Sequence, residues 1–147
     1  MYLDKENLLC DAQAFTADAN TTNAFDNGSS TPKIDFGAGE SMCVAIQVDV
    51  AADYTTANET YLFNFIQSAN ADLSAPDILT GRTIVYSDLT AGAIQYLMIP
   101  PKAVTKRYLG VAFDGGGTTP TITATMWITS TRFIDAIRNY PSGFVVS

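Results

Sequence analysis

From Thr121 to Thr129 the chain alternates without a fault: Ile122, Ala124, Met126 and Ile128 take one parity, and Thr121, Thr123, Thr125, Trp127 and Thr129 take the other. Successive side chains on a strand face opposite sides of a sheet, so this run reads as a strand with one apolar face and one threonine-rich face bearing the lone tryptophan. Ser41–Val50 repeats the pattern, with Met42, Val44, Ile46, Val48 and Val50 opposed by Cys43, Ala45, Gln47 and Asp49. Strict period-two alternation over such lengths is the signature of half-buried strands, and it commits the chain to sheet.

The remaining apolar runs are short and separated by turn-formers. Thr60–Gln67 sets Tyr61, Phe63 and Phe65 on one side and Leu62 and Ile66 around Asn64 on the other. Thr83–Tyr86 is a brief apolar run, and Ile94–Ile99 ends at Pro100-Pro101, which donates no ladder hydrogen bonds. Arg107–Thr129 is predicted as a hairpin turned at Gly115-Gly116-Gly117, because a strand follows the glycines where a phosphate loop needs a helix. Ala14–Thr22 is a weaker strand candidate, with Ala24–Asp26 and Lys33–Phe36 as edge pieces. About seven or eight short strands at turn spacings of roughly 8–12 residues predict an all-β fold, an antiparallel jelly roll or β-sandwich with extended N- and C-terminal arms. The expected division is an N-terminal arm at 1–13, a jelly-roll domain at 14–131 and a C-terminal tail at 132–147. Arg132–Tyr140 suits a helix or an extended arm equally.

The residues of common enzyme chemistry are missing. The chain has no histidine, which removes the most frequent general base and metal ligand. Two widely spaced cysteines, Cys10 and Cys43, define neither a zinc site nor a disulfide framework and read as buried thiols. Most aspartates stand beside turn-formers, where they bond their own backbone. No catalytic residue, metal site or cofactor is therefore expected, and an enzyme is the weakest of the functional readings. A formal charge of −7 speaks against nucleic acid. No apolar run reaches the ~18 residues of a membrane span, and the acidic N-terminus is unlike a secretion signal, so a soluble protein made in the cytoplasm is expected.

What remains points to contact with other macromolecules. Tyr2, Leu3, Leu8 and Leu9 near one end, and Phe133, Ile134, Tyr140 and Phe144 near the other, are more apolar than free termini usually are. The segments Tyr2–Gln13 and Phe133–Val146 are accordingly expected to reach onto neighbouring chains. The face of Thr121, Thr123, Thr125, Trp127 and Thr129 is a candidate contact between copies in a homo-dimer or homo-trimer, with Trp127 as its anchor. A tryptophan in a sandwich core, or one packed under a loop of its own chain, is the competing reading of Trp127. Charge is uneven too: residues 1–100 carry 13 acids and 3 bases, and residues 101–147 carry 2 acids and 5 bases. Ordinary solvation accounts for this, as does contact with two differently charged surfaces.

A series of landmarks then resembles the jelly-roll capsid cement, or decoration, proteins of tailed bacteriophages. They begin with Leu3-Asp4-Lys5, Cys10, Asp11-Ala12-Gln13-Ala14, Thr16, Thr22-Asn23 and Asp26-Asn27-Gly28. They continue through Leu89-Thr90-Ala91-Gly92, Ile99-Pro100-Pro101, Arg107-Tyr108-Leu109, Thr123-Ala124-Thr125 and Tyr140-Pro141-Ser142-Gly143-Phe144. Cys10 stands where the family pattern suggests serine, Gly110 where it suggests a polar or basic residue, and Asn58–Gly81 follows only its general rhythm. The resemblance implies a structural protein on the outer surface of the virion that bridges adjacent major capsid protein subunits, so that Tyr2–Gln13 and Phe133–Val146 are expected to reach onto neighbouring chains or the shell. No membrane or nucleic-acid partner is expected. A carbohydrate- or host-surface-binding β-sandwich, using Tyr54, Tyr86 or Trp127 as stacking platforms, is the alternative.

Overall fold

A computed structural model describes residues 7–28, 41–101 and 103–131. The described strands are β1 (Leu8–Phe15), β2 (Ala19–Asn20), β3 (Phe25–Asp26), β4 (Met42–Val50), β5 (Thr60–Ser68), β6 (Asp77–Ile84), β7 (Ile94–Met98), β8 (Tyr108–Gly116) and β9 (Ile122–Ser130), with one 3-10 turn at Tyr86–Asp88. All pairings are antiparallel, in a sheet of order β1-β9-β4-β7 and a sheet of order β2-β8-β5-β6, where β3 also pairs with β8. β2 and β3 lie along the same strand, opposite Phe113–Ala112 and Leu109–Tyr108, and act as one interrupted edge.

The topology follows from nesting. β5 pairs with β6, β4 with β7, β2 and β3 with β8, and β1 with β9, so the chain forms one long double ribbon folded at the β5–β6 turn. Rolling that ribbon adds the pairs β4·β9 and β5·β8 and closes two sheets over one core. This is a jelly roll. The predicted parities hold in its core: Val44, Ile46 and Val48 meet Ile122, Ala124, Met126 and Ile128 from one sheet and Tyr61, Phe63, Phe65 and Phe113 from the other. Phe113 is the hub of the aromatic layer, with ring centroids 5.3 Å from Phe15, 5.5 Å from Phe63 and 6.0 Å from Tyr61. Tilted pairs at these distances add to plain apolar burial.

Three expectations are corrected. β8 and β9 do not form a hairpin: β8 belongs to one sheet and β9 to the other, and the glycine-rich segment between them is an arch across the sandwich end. Gly115 and Gly116 are still paired, with Tyr61 and Thr60, and only Gly117 takes a left-handed backbone, at φ +84°. Residues 8–13, expected in an arm, begin β1, where Leu9 is fully buried. Of the short run expected at Thr83–Tyr86, Thr83 and Ile84 end a longer strand that starts at Asp77 and runs along the sheet edge, and Tyr86 begins the 3-10 turn. The edge piece expected at Lys33–Phe36 lies outside the described residues.

Candidate interaction surfaces

The outer face of the β1-β9-β4-β7 sheet holds the threonine–tryptophan parity. Trp127 sits in register between Leu8 of β1 and Ala45 of β4, and the small Cys43 and Ala45 leave room for its indole. Leu8, Ile94 and Tyr96 pack around the same cluster. Trp127 is only 2 % exposed, so it is not the exposed anchor that its parity predicted. Its indole Nε1–H is buried and has no hydrogen-bond partner among the described residues. Thr125 is also buried, and its work is internal: its hydroxyl accepts the Ala12 N–H at 2.9 Å and donates to Asp49 at 2.7 Å. Ala12 lies in the irregular stretch of β1 at φ 47°, where the ladder leaves its amide in need of an acceptor. Thr121, Thr123 and Thr129 are half-buried.

Of the arm candidates, Leu9 is in the core and Leu8 is half-buried beside Trp127. Tyr2, Leu3, Phe133, Ile134, Tyr140 and Phe144 lie outside the described residues. Both cysteines are buried. Burial pushes the Cys10 thiol up to about 12, which keeps it protonated and unreactive.

On the outer face of the other sheet, the loop after β5 folds back so that Leu73 presses on the backbone at Gly110. A Cβ on Gly110 would overlap Leu73 Cδ1 and stand 3.0 Å from Thr21 Oγ1, which accounts for glycine there. Asn20 holds the strap from the sheet edge by donating to the Leu73 carbonyl at 3.3 Å.

The third surface is an end of the sandwich. The strand directions bring four connections together there: 16–18, 51–59, 85–93 and 117–121. Tyr61 braces them from within, since its hydroxyl donates to the Asp53 carbonyl and is 3.3 Å from the Thr121 carbonyl. Asp53 N–H bonds Thr121 O at 3.0 Å, and Ala52 N–H bonds Leu89 O at 3.0 Å, so adjacent connections are tied. Glu59 organises the 51–59 connection. Burial opposes its charge, but donors from Thr56 and Asn58 outweigh that and hold the carboxyl below its usual value.

On this braced end Tyr54 and Tyr86 stack face to face, with centroids 3.7 Å apart and planes 9° from parallel. They are 37 % and 42 % exposed, and Val50, at the end of β4, and Val85, next to Tyr86 in the chain, are 59 % and 58 % exposed. The four connections contain Asp18, Asp53, Glu59 and Asp88 and no lysine or arginine. The two ion pairs among the described residues, Lys106–Asp77 and Arg107–Asp26, engage none of these acids. The valines escaped sequence reading because Val50 continues an alternating core run and Val85 a strand. The available signal was their position, each directly before a turn segment.

The profile of the Bbp16 family matches residues 9–129. The chain belongs to the Bbp16 family. The match starts in β1 and ends in β9, so the family unit coincides with the rolled sandwich. No curated protein matches this Bbp16-family chain significantly.

Proposed function

We propose that this Bbp16-family chain is a structural virion protein that binds the outer surface of a phage capsid and bridges adjacent major capsid protein subunits. The observation that carries the reading is the ordered set of cement-protein landmarks, several of which occupy positions the fold depends on. Leu89 is buried in the core, Pro100-Pro101 follows the end of β7, and Arg107, directly before β8, makes a bidentate pair to Asp26 at 2.8 and 2.9 Å. A rigid sandwich with tied loops suits such a role, because a protein that binds only an intact seam shifts the balance towards the assembled shell. At a ligand concentration of 100 Kd that shift is about 2.7 kcal/mol per site. The carbohydrate reading has less support: Trp127 is buried, and Tyr54 and Tyr86 close one face of each ring on the other.

The test is reconstitution. Shells made without this chain should release their genome at a lower temperature than complete virions, and adding the purified protein should restore the difference. Failure of the protein to bind such shells, or binding that leaves release unchanged, would sink the proposal.

A further inference from the structure

We infer that the sandwich end carrying the Tyr54–Tyr86 stack is the surface that seats on the shell, and that it fits a protein surface presenting lysine or arginine around an apolar recess. This deepens the capsid reading and rests on it.

Exposed aromatic area is the first reason. The stack and the flanking Val50 and Val85 put four large apolar side chains on one end, each more than a third exposed. Aromatic side chains are the commonest anchors of protein interfaces, since they bring large contact area with few rotatable bonds to immobilise. Rigidity is the second. The tyrosines rise from connections braced by the Tyr61 hydroxyl and by backbone bonds between 52 and 89 and between 53 and 121, so docking does not first have to order them.

Charge identifies the partner. Asp18 and Asp88 are exposed on the connections of this end and Asp53 is half-buried, while Glu59 is buried and satisfied within its own loop; the four connections themselves carry no lysine or arginine. Of the described cations, Lys106 and Arg107 stand at the opposite end with Asp77 and Asp26, and Arg82 of β6 is spent on the β7 edge, donating to the Tyr96 carbonyl at 2.7 Å and to Gln95 at 3.3 Å, without an ion pair to an acid of this end. Exposed acidic side chains on the same end as an apolar anchor steer and select a basic surface and disfavour an acidic one. The same arrangement predicts attachment that weakens as salt screens these charges.

The experiment uses the full chain and shells of its own phage lacking it, with cosedimentation as the readout. The variants are Tyr54→Ser/Tyr86→Ser, the charge reversal Asp88→Lys, and Ile78→Ser, which removes an exposed apolar side chain near the other end. Asp88→Lys and Ile78→Ser should melt with the wild type, because those side chains are exposed; Tyr54→Ser/Tyr86→Ser gives up the stack, so all binding is compared at a temperature where circular dichroism shows every variant folded. The inference expects the tyrosine variant to bind about tenfold or more weakly. It expects Asp88→Lys to bind more weakly at low salt, with the gap closing towards about 0.5 M, and Ile78→Ser to bind normally. If the wild type binds and neither loop variant differs from it, the inference is wrong and the capsid reading stands. If the wild type does not bind shells at all, both fall. Tyrosine-dependent capture by a glycan array without shell binding overturns both in favour of a carbohydrate module.

Discussion

Gly117→Ala probes the arch that carries the chain from one sheet to the other. At φ +84° the backbone is in the left-handed region, where an L side chain costs about 1–2 kcal/mol. The new Cβ would also stand 2.6 Å from the Asn58 carbonyl carbon. Asn58 has little freedom to retreat, since its side chain accepts the Thr118 N–H at 3.0 Å and donates to the Thr118 hydroxyl at 3.2 Å. Relieving such an overlap typically costs about 1–3 kcal/mol more, for a sum near 3 kcal/mol. Gly92 is the internal control, because it has φ +86° but nothing within 4 Å of an added Cβ. Gly92→Ala should therefore show only the backbone cost, about 1–2 kcal/mol. In a domain of this size each kcal/mol lowers the midpoint by about 3 °C, so Gly117→Ala should melt about 10 °C below wild type and Gly92→Ala about 3–6 °C below. Calorimetry and urea denaturation with unchanged m-values are the assays. If the two variants melt together, or Gly117→Ala stays within about 2 °C of wild type, the explanation of the arch is wrong.

The Asp26 carboxyl is held at about 2, against 3.8, chiefly by the hydrogen bond from Arg107. A depressed carboxyl stabilises the fold above its unfolded value and loses that contribution as pH falls through the folded one, so the margin of wild type over Asp26→Asn should be full above about pH 5 and gone only below about pH 2. The pair is exposed, so that margin is small and salt-sensitive; a margin unchanged across an acid titration contradicts the assignment. Cys10, buried and 3.5 Å from the Ala124 carbonyl, should escape alkylation at about pH 8 until the protein unfolds, as followed by peptide mapping. Rapid labelling of native Cys10 would show that β1 is not held as described. Leu73→Ala should cost about 2–5 kcal/mol. In its presence Gly110→Ala should become cheaper by about 1 kcal/mol or more, and a double-mutant cycle without coupling would refute the strap.

Parity along β4, β5 and β9 was legible in the sequence because each strand has one face in a shared core, and alternation reports that directly. Partnership was not. The residues Arg107–Thr129 look like a hairpin because periodicity says which way a side chain points but not which sheet its strand joins, and the separation of β8 from β9 is a long-range outcome of the rolled ribbon. β1 was hidden by its own irregularity: Leu9 and Cys10 are both buried, Ala12 is left-handed, and the alternation that marks a strand is lost. Trp127 shows the complementary limit. Its parity placed it on the outside of the sheet, as the structure does, but parity carries no information about whether that outside is covered. The sandwich end was invisible for a different reason, since Tyr54 and Tyr86 are 32 positions apart in the chain (86 − 54) and meet only when the ribbon is rolled.

Electron cryo-microscopy of the virion measures most directly where the chain acts. The expected result is a two-sheet jelly roll in regular copies on the outside of the shell, over contacts between neighbouring capsid subunits, with the Tyr54–Tyr86 end towards the shell. A shell whose outer surface carries no such density, or a jelly roll of this chain found only in the tail, contradicts a capsid-bridging role.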